Sequence, residues 1–209
     1  MKKKEQSLFD ILRNRISIET TNTIYLKLTN NGLIENQGTR SVINRIDVPP
    51  VEVKVSNWFD DIWLYLKIEL KEDKEQAIKD IPFISICFFQ DVNNELKPLF
   101  RAEWDNFHIN ENDSYNHPQP HWHITNTDIN NIGFEELNKK DVEEEAGDYA
   151  ELFNDTQKAI DIYRMHFSMS GDWISNGNMV TKYIDNNQIV NWIGYLLQHV
   201  KKEIEYVKQ

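Results

Sequence analysis

The stretch from residue 62 to residue 70 constrains the fold more than any other. Ile62, Leu64, Leu66, Ile68 and Leu70 alternate with Trp63, Tyr65, Lys67 and Glu69. A period of two puts the first set on one face of a strand and the second on the other. Pro82 to Phe89 is apolar at nearly every position, which predicts a central strand covered on both faces. Leu96 to Trp104 reads as the next strand, with Pro98 requiring an edge or a bulge because proline donates no ladder hydrogen bond.

The remaining elements fit around this sheet. Leu8, Ile11, Leu12 and Ile16 recur at helical steps behind Ser7, a candidate cap. Ile24, Leu26 and Leu28 alternate up to Asn30-Asn31-Gly32, a turn signal. Thr39 to Val48 and Val51 to Val55 read as extended chain, interrupted by Pro49-Pro50, and Glu72 to Asp80 as a short helix. Glu135 to Asp155 is strongly acidic and runs into a helical stripe through Leu152, Phe153, Thr156, Ile160 and Tyr163. Ile189, Trp192, Ile193, Leu196, Leu197, Val200 and Ile204 mark an amphipathic C-terminal helix opened by Asp185-Asn-Asn187. The expected class is α+β: a mostly antiparallel, meandering sheet flanked by N-terminal, acidic and C-terminal helices. With no internal repeat and no Gly/Ser linker, the 209 residues are read as a single domain, residues 1–209.

Composition narrows the function. A formal net charge of -11 repels phosphate backbones, so bulk duplex binding is disfavoured, although Arg40, Arg45, Lys54 and Arg101 can line a local basic groove. Cys87 is the single cysteine, which excludes an intramolecular disulfide and a Cys-rich zinc site. Its apolar surroundings predict a small buried residue with a raised thiol pKa. The basic start, Met1 to Lys4, is followed by Asp10, Arg13 and Arg15 rather than an apolar signal region. No apolar run reaches the roughly 18 residues of a membrane span, so a cytoplasmic protein without membrane contact is expected. Glycine-rich phosphate loops, a nucleophile elbow and a His-Glu-x-x-His helix are all missing from the sequence.

The chemistry concentrates in one place. A polar stretch, Asp105 to Asn116, leads into His117-Pro-Gln-Pro-His121-Trp-His123-Ile-Thr125. The prolines forbid helix, so His121 to Thr125 should begin a strand on which His121 and His123 share a face and Trp122 points away. Two imidazoles so placed suit a divalent metal such as zinc or manganese, given a third ligand. His117, His108, His166, Glu103 and Asp105 are the candidates for it. The same pair can work without metal, one imidazole as base and the other as acid. Arg101, Glu103 and Asp105 alternate on the preceding strand, and an arginine beside imidazoles suits an anion such as a phosphate. The set to be tested as catalytic is thus His121, His123, Arg101 and His166; the metal set is His117, His121, His123, Glu103 and Asp105.

Two local resemblances bear on the reaction. Arg101-Ala-Glu-Trp104-Asp105-Asn106, followed by Pro120-His121-Trp122-His123, resembles an element of the TumE-type toxins of bacterial toxin–antitoxin pairs. The resemblance spans residues 101 to 123, with a different intervening loop and tighter histidine spacing in a longer chain. It implies Arg101, Asp105, His121 and His123 as the working set, a toxin or defence role, and a protein partner encoded in the same operon. His123-Ile-Thr125 and His166-Phe-Ser168 resemble the paired motifs of the two-histidine phosphoesterases, although the motifs lie closer together here than in that family. That likeness implies His123 and His166 as acid and base, with Thr125 and Ser168 on a phosphate. The expected activity is therefore hydrolysis or transfer at a phosphodiester, in RNA or a small phosphodiester. Its competitors are a non-catalytic defence-complex subunit using the acidic run Asp141 to Glu145, and a metal-binding protein without turnover.

Overall fold

The computed structural model describes residues 3–20, 22–44, 49–71, 81–105, 119–124, 160–166 and 186–209. In chain order these form helix α1 (Lys3–Glu19) and strands β1 (Leu26–Leu28), β2 (Leu33–Asn36), β3 (Arg40–Asn44) and β4 (Val51–Phe59). Strands β5 (Ile62–Lys71), β6 (Ile81–Val92), β7 (Glu95–Asp105) and β8 (His121–Ile124) follow, then a 3-10 turn (Ile162–Arg164) and helix α2 (Asn186–Val207). The sheet runs β1-β2-β5-β6-β7-β8, and every pairing is antiparallel. This is the expected α+β arrangement, with the N-terminal and C-terminal helices in place. The acidic helix and the helix expected at 72–80 lie outside the described residues. Ser7 sits inside α1 rather than capping it, since the helix is already formed at Lys3.

The alternation of β5 decides what each face does. Ile62, Leu64, Leu66 and Ile68 join Ile84, Ile86 and Phe88 of β6 and Phe100, Ala102 and Trp104 of β7 in one buried cluster. Leu8, Leu12 and Ile16 of α1 and Ile189, Ile193, Leu197, Val200 and Ile204 of α2 cover it. Among the described residues, β3 and the first half of β4 cover one end of the opposite face. Val53 and Val55 pack there on Tyr65, Cys87 and Phe89. Arg40 holds this hairpin down by pairing with Asp91, donating to the Asn94 carbonyl at 2.8 Å and lying over the Trp63 ring. Cys87 is fully buried, as its surroundings predicted. From Cys87 to Phe89 the strand is thus covered on both sides, by helices on one and by the hairpin on the other, whereas Phe83 on the hairpin's side stays half-buried.

Asn36 makes this division of the faces workable. β2 and β4 pair with the same edge of β5, β2 at Lys67–Glu69 and β4 at Ile62–Leu64. Between them the ladder has a gap. Buried Asn36 fills it, donating to the Ser56 hydroxyl at 3.0 Å and the Leu64 carbonyl at 3.2 Å while accepting from the Leu66 amide at 2.8 Å. An Asn36→Leu variant would leave those buried backbone groups without partners. It is expected to lose about 2 kcal/mol of stability, read as a lower urea midpoint at unchanged slope. An unchanged midpoint would mean that the gap is not closed by this side chain.

One hairpin turn and one bulge position the strands that matter below. Asn93 and Asn94, at φ of 54° and 66°, close β6 onto β7, as a two-residue turn with both residues at positive φ does. The register then shifts between Phe88 and Phe89, so that Phe89 faces Pro98. Pro98 therefore lies at a bulge, one of the two settings that the sequence allowed it.

Candidate functional site

β7 and β8 carry the candidate site on the sheet face turned away from the helices. Phe100, Ala102 and Trp104 face the helical core, which sends Arg101, Glu103 and Asp105 to the other side. β8 pairs with β7 so that Arg101 lies opposite His123 and Glu103 opposite His121. Trp122 points the other way and packs edge-on against Phe100, ring centroids 5.7 Å apart. That anchor sets the orientation of β8, and the two histidines project together as the i, i+2 spacing predicted. The chain enters β8 through Gln119, whose side-chain oxygen accepts from the Asp105 amide at 2.7 Å.

The donor atoms converge. His121 Nε2 and His123 Nε2 lie 2.7 Å apart, and each is 3.7 Å from the same oxygen, Glu103 Oε1. A triangle with these sides has its circumcentre about 2.0 Å from every corner, the distance at which zinc binds imidazole nitrogen and carboxylate oxygen. The other oxygen, Glu103 Oε2, accepts from Arg101 Nη2 at 2.9 Å. Glu103 is thus clamped by the guanidinium on one side and offers its free edge to the imidazoles on the other. Burial alone would raise the Glu103 pKa. The hydrogen bond from His123 and the charges of Arg101, His123 and His121 outweigh it and hold the carboxyl below its ordinary range.

The structure sorts the residues nominated from sequence. Glu103, His121 and His123 come together as a potential ligand set. Arg101 stands beside them, but nine-tenths buried and bonded to Glu103; its place is behind the carboxylate, where sequence reasoning expected an anion grip. Asp105 is buried on the same face one step further along β7 and is not part of that set. His166 goes elsewhere. Its side chain is 75% exposed, its Nδ1 lies 3.3 Å from Glu203 Oε2, and its ring rests near Tyr206 of α2. α2 covers the helical face of the sheet, so His166 and His123 do not face one another across a cleft. His117, His108, Thr125 and Ser168 lie outside the described residues.

Comparison with known proteins found no matching family model, no similar curated protein and no similar solved structure. The site has to be read from its own chemistry. A hollow of about 350 Å³ between the end of α1 and α2, lined by Ile18, Leu197 and Lys201 among others, lies on the helical side and contains no histidine. No described helix is long and apolar enough to cross a membrane.

Sequence reasoning placed Arg101, Glu103 and Asp105 on the strand beside the histidines, but it missed the residues that lie beyond β7. Lys67 lies opposite Ser85, Ser85 opposite Glu103, and Glu103 opposite His121, so one polar row crosses four strands. Glu69, Phe83 and Asp105 form the next row. Only the register of the sheet brings these residues together, and no local motif carries it.

Proposed function

We propose that the protein is a divalent-metal-dependent hydrolase acting at phosphodiester bonds, with single-stranded RNA as its foremost substrate class. The convergence of Glu103 Oε1 and the two imidazole nitrogens on a point about 2.0 Å from each supports this reading most directly. The three donors among the described residues would leave coordination positions for water and substrate, as catalytic rather than closed structural zinc sites do. An ion so held would polarise a phosphoryl oxygen as a Lewis acid. Because Arg101 already balances the Glu103 charge, the charge of a bound ion would stay uncancelled and attract an anionic oxygen. The resemblance of residues 101–106 and 120–123 to the TumE-type element adds a defence role and a partner from the same operon.

The direct test is hydrolysis by metal-free protein reconstituted with zinc or manganese, offered single-stranded RNA and a 2′,3′-cyclic phosphate. Cleavage should appear with the metal, vanish with a chelator and return on reloading. Substrates left intact under every metal condition, with metal bound, would reduce the site to metal binding without turnover. Cleavage indifferent to chelation would instead assign the work to the imidazole pair alone.

A further inference from the structure

We propose that Gln119 is a positioning residue for the metal centre: by accepting a hydrogen bond from the Asp105 amide, its side chain fixes His121 within ligating reach of Glu103. The inference rests on the metal-dependent reading above and adds to it a residue that touches neither ion nor substrate.

The centre depends on the end of a short ladder. Strand β8 has four residues, and its first, His121, forms the last rung, opposite Glu103. Terminal rungs open most readily. A working constellation, however, has to keep its donors within about 0.5 Å of the productive geometry. The three donors here are divided between two strands, Glu103 on β7 and His121 and His123 on β8. Each opening of the terminal rung would carry His121 away from Glu103.

Gln119 closes the ladder beyond that rung. Alternate residues of a strand turn their amides to the same edge, so the Asp105 amide faces the β8 side as the Glu103 amide does. Where a longer strand would offer a backbone carbonyl, Gln119 Oε1 accepts from Asp105 N at 2.7 Å. Gln119 is 2% exposed and Asp105 5%. Water therefore competes little for the bond, and the low local dielectric strengthens it.

A second hold lies on the other side of His121. Trp122 packs on Phe100 from the helical face, ring centroids 5.7 Å apart. That contact alone would let the start of β8 pivot about it, and the Gln119 bond removes the pivot. His121 is thus bracketed along the chain, by a hydrogen bond two residues before it and a ring contact one residue after. Asp105, a candidate ligand on spacing, serves the centre through its amide, as the fixed point on β7 to which the start of β8 is tied.

The test uses Gln119→Met, which keeps the length and bulk of the side chain without the accepting oxygen. Metal-free full-length protein is titrated with zinc against a competing chelator. It is also loaded with cobalt(II), whose visible bands report the donors around the ion. Gln119→Met should bind zinc about tenfold more weakly than wild type, as loss of a group that orients a ligand does, and its cobalt bands should differ in position and intensity. Gln119→Asn, the same amide one methylene short, should move both readouts in the same direction, and it carries the comparison if Gln119→Met does not fold. A lower urea midpoint with zinc affinity and cobalt bands as in wild type would make Gln119 a purely structural residue, overturning the proposal while leaving the metal reading intact. Wild-type protein that takes up neither zinc nor cobalt would overturn that reading and the positioning role with it.

Discussion

A His121→Ala/His123→Ala variant is expected to purify without metal, whereas tag-free wild-type protein should carry close to one divalent ion per chain. The pair supplies two of the three converging donors, and Glu103 Oε1 alone cannot hold an ion against water. Glu103→Gln preserves shape but removes the anionic donor; its metal affinity should fall by more than about a hundredfold, the upper end of what outer-shell changes cost. Elemental mass spectrometry gives the stoichiometry and a competing chelator the affinity. Both imidazoles are partly exposed on an edge strand, so their loss should leave the helical core, and the circular dichroism spectrum, as in wild type. Equal metal in wild type and double variant would place the ion elsewhere and remove the basis of the proposed hydrolase.

Arg101→Met should be the most destabilising change at the site. Arg101 and Glu103 are each about one-tenth exposed as side chains and bonded at 2.9 Å. Removing one member of a buried pair leaves the other charge uncompensated, at a cost of about 3–5 kcal/mol. Urea unfolding of metal-free protein should show it. Metal affinity should fall about 10–100-fold as well, because the carboxylate loses the partner that turns Oε1 toward the imidazoles. Arg101→Lys, which keeps the charge without the planar fork, should recover part of both. Had Arg101 gripped substrate, as its neighbourhood in the sequence suggested, Arg101→Met would keep stability and metal and lose only substrate binding. The two roles therefore separate in one experiment.

Side-chain period was legible without coordinates; side-chain company was not. The alternation from Ile62 to Leu70 revealed which face of β5 meets the helices, and the two-sided apolar run gave β6 its central place. His121 and His123 were legible as one face of a strand because two prolines exclude helix before them. Whether Glu103 or Asp105 lies beside the imidazoles was beyond the sequence. Both alternate correctly on β7, and only the pairing of Glu103 with His121 separates them. The tripeptide at His166 failed to report its location for a related reason: a local motif does not encode which side of a sheet its segment crosses. The covering of Cys87 by β3 and β4 was equally hidden, since two extended stretches look alike in sequence whether they continue a sheet or fold over it.

Among the described residues β8 ends the sheet with four residues, and its histidines face a carboxylate on the strand to which it is laddered. A ladder that short would ordinarily fray first. An ion gripped from both strands would act as a rivet between them, so that the docking of the edge becomes linked to free metal through mass action. The same three donors would thus set not only what the site can do but when the margin of the sheet is closed.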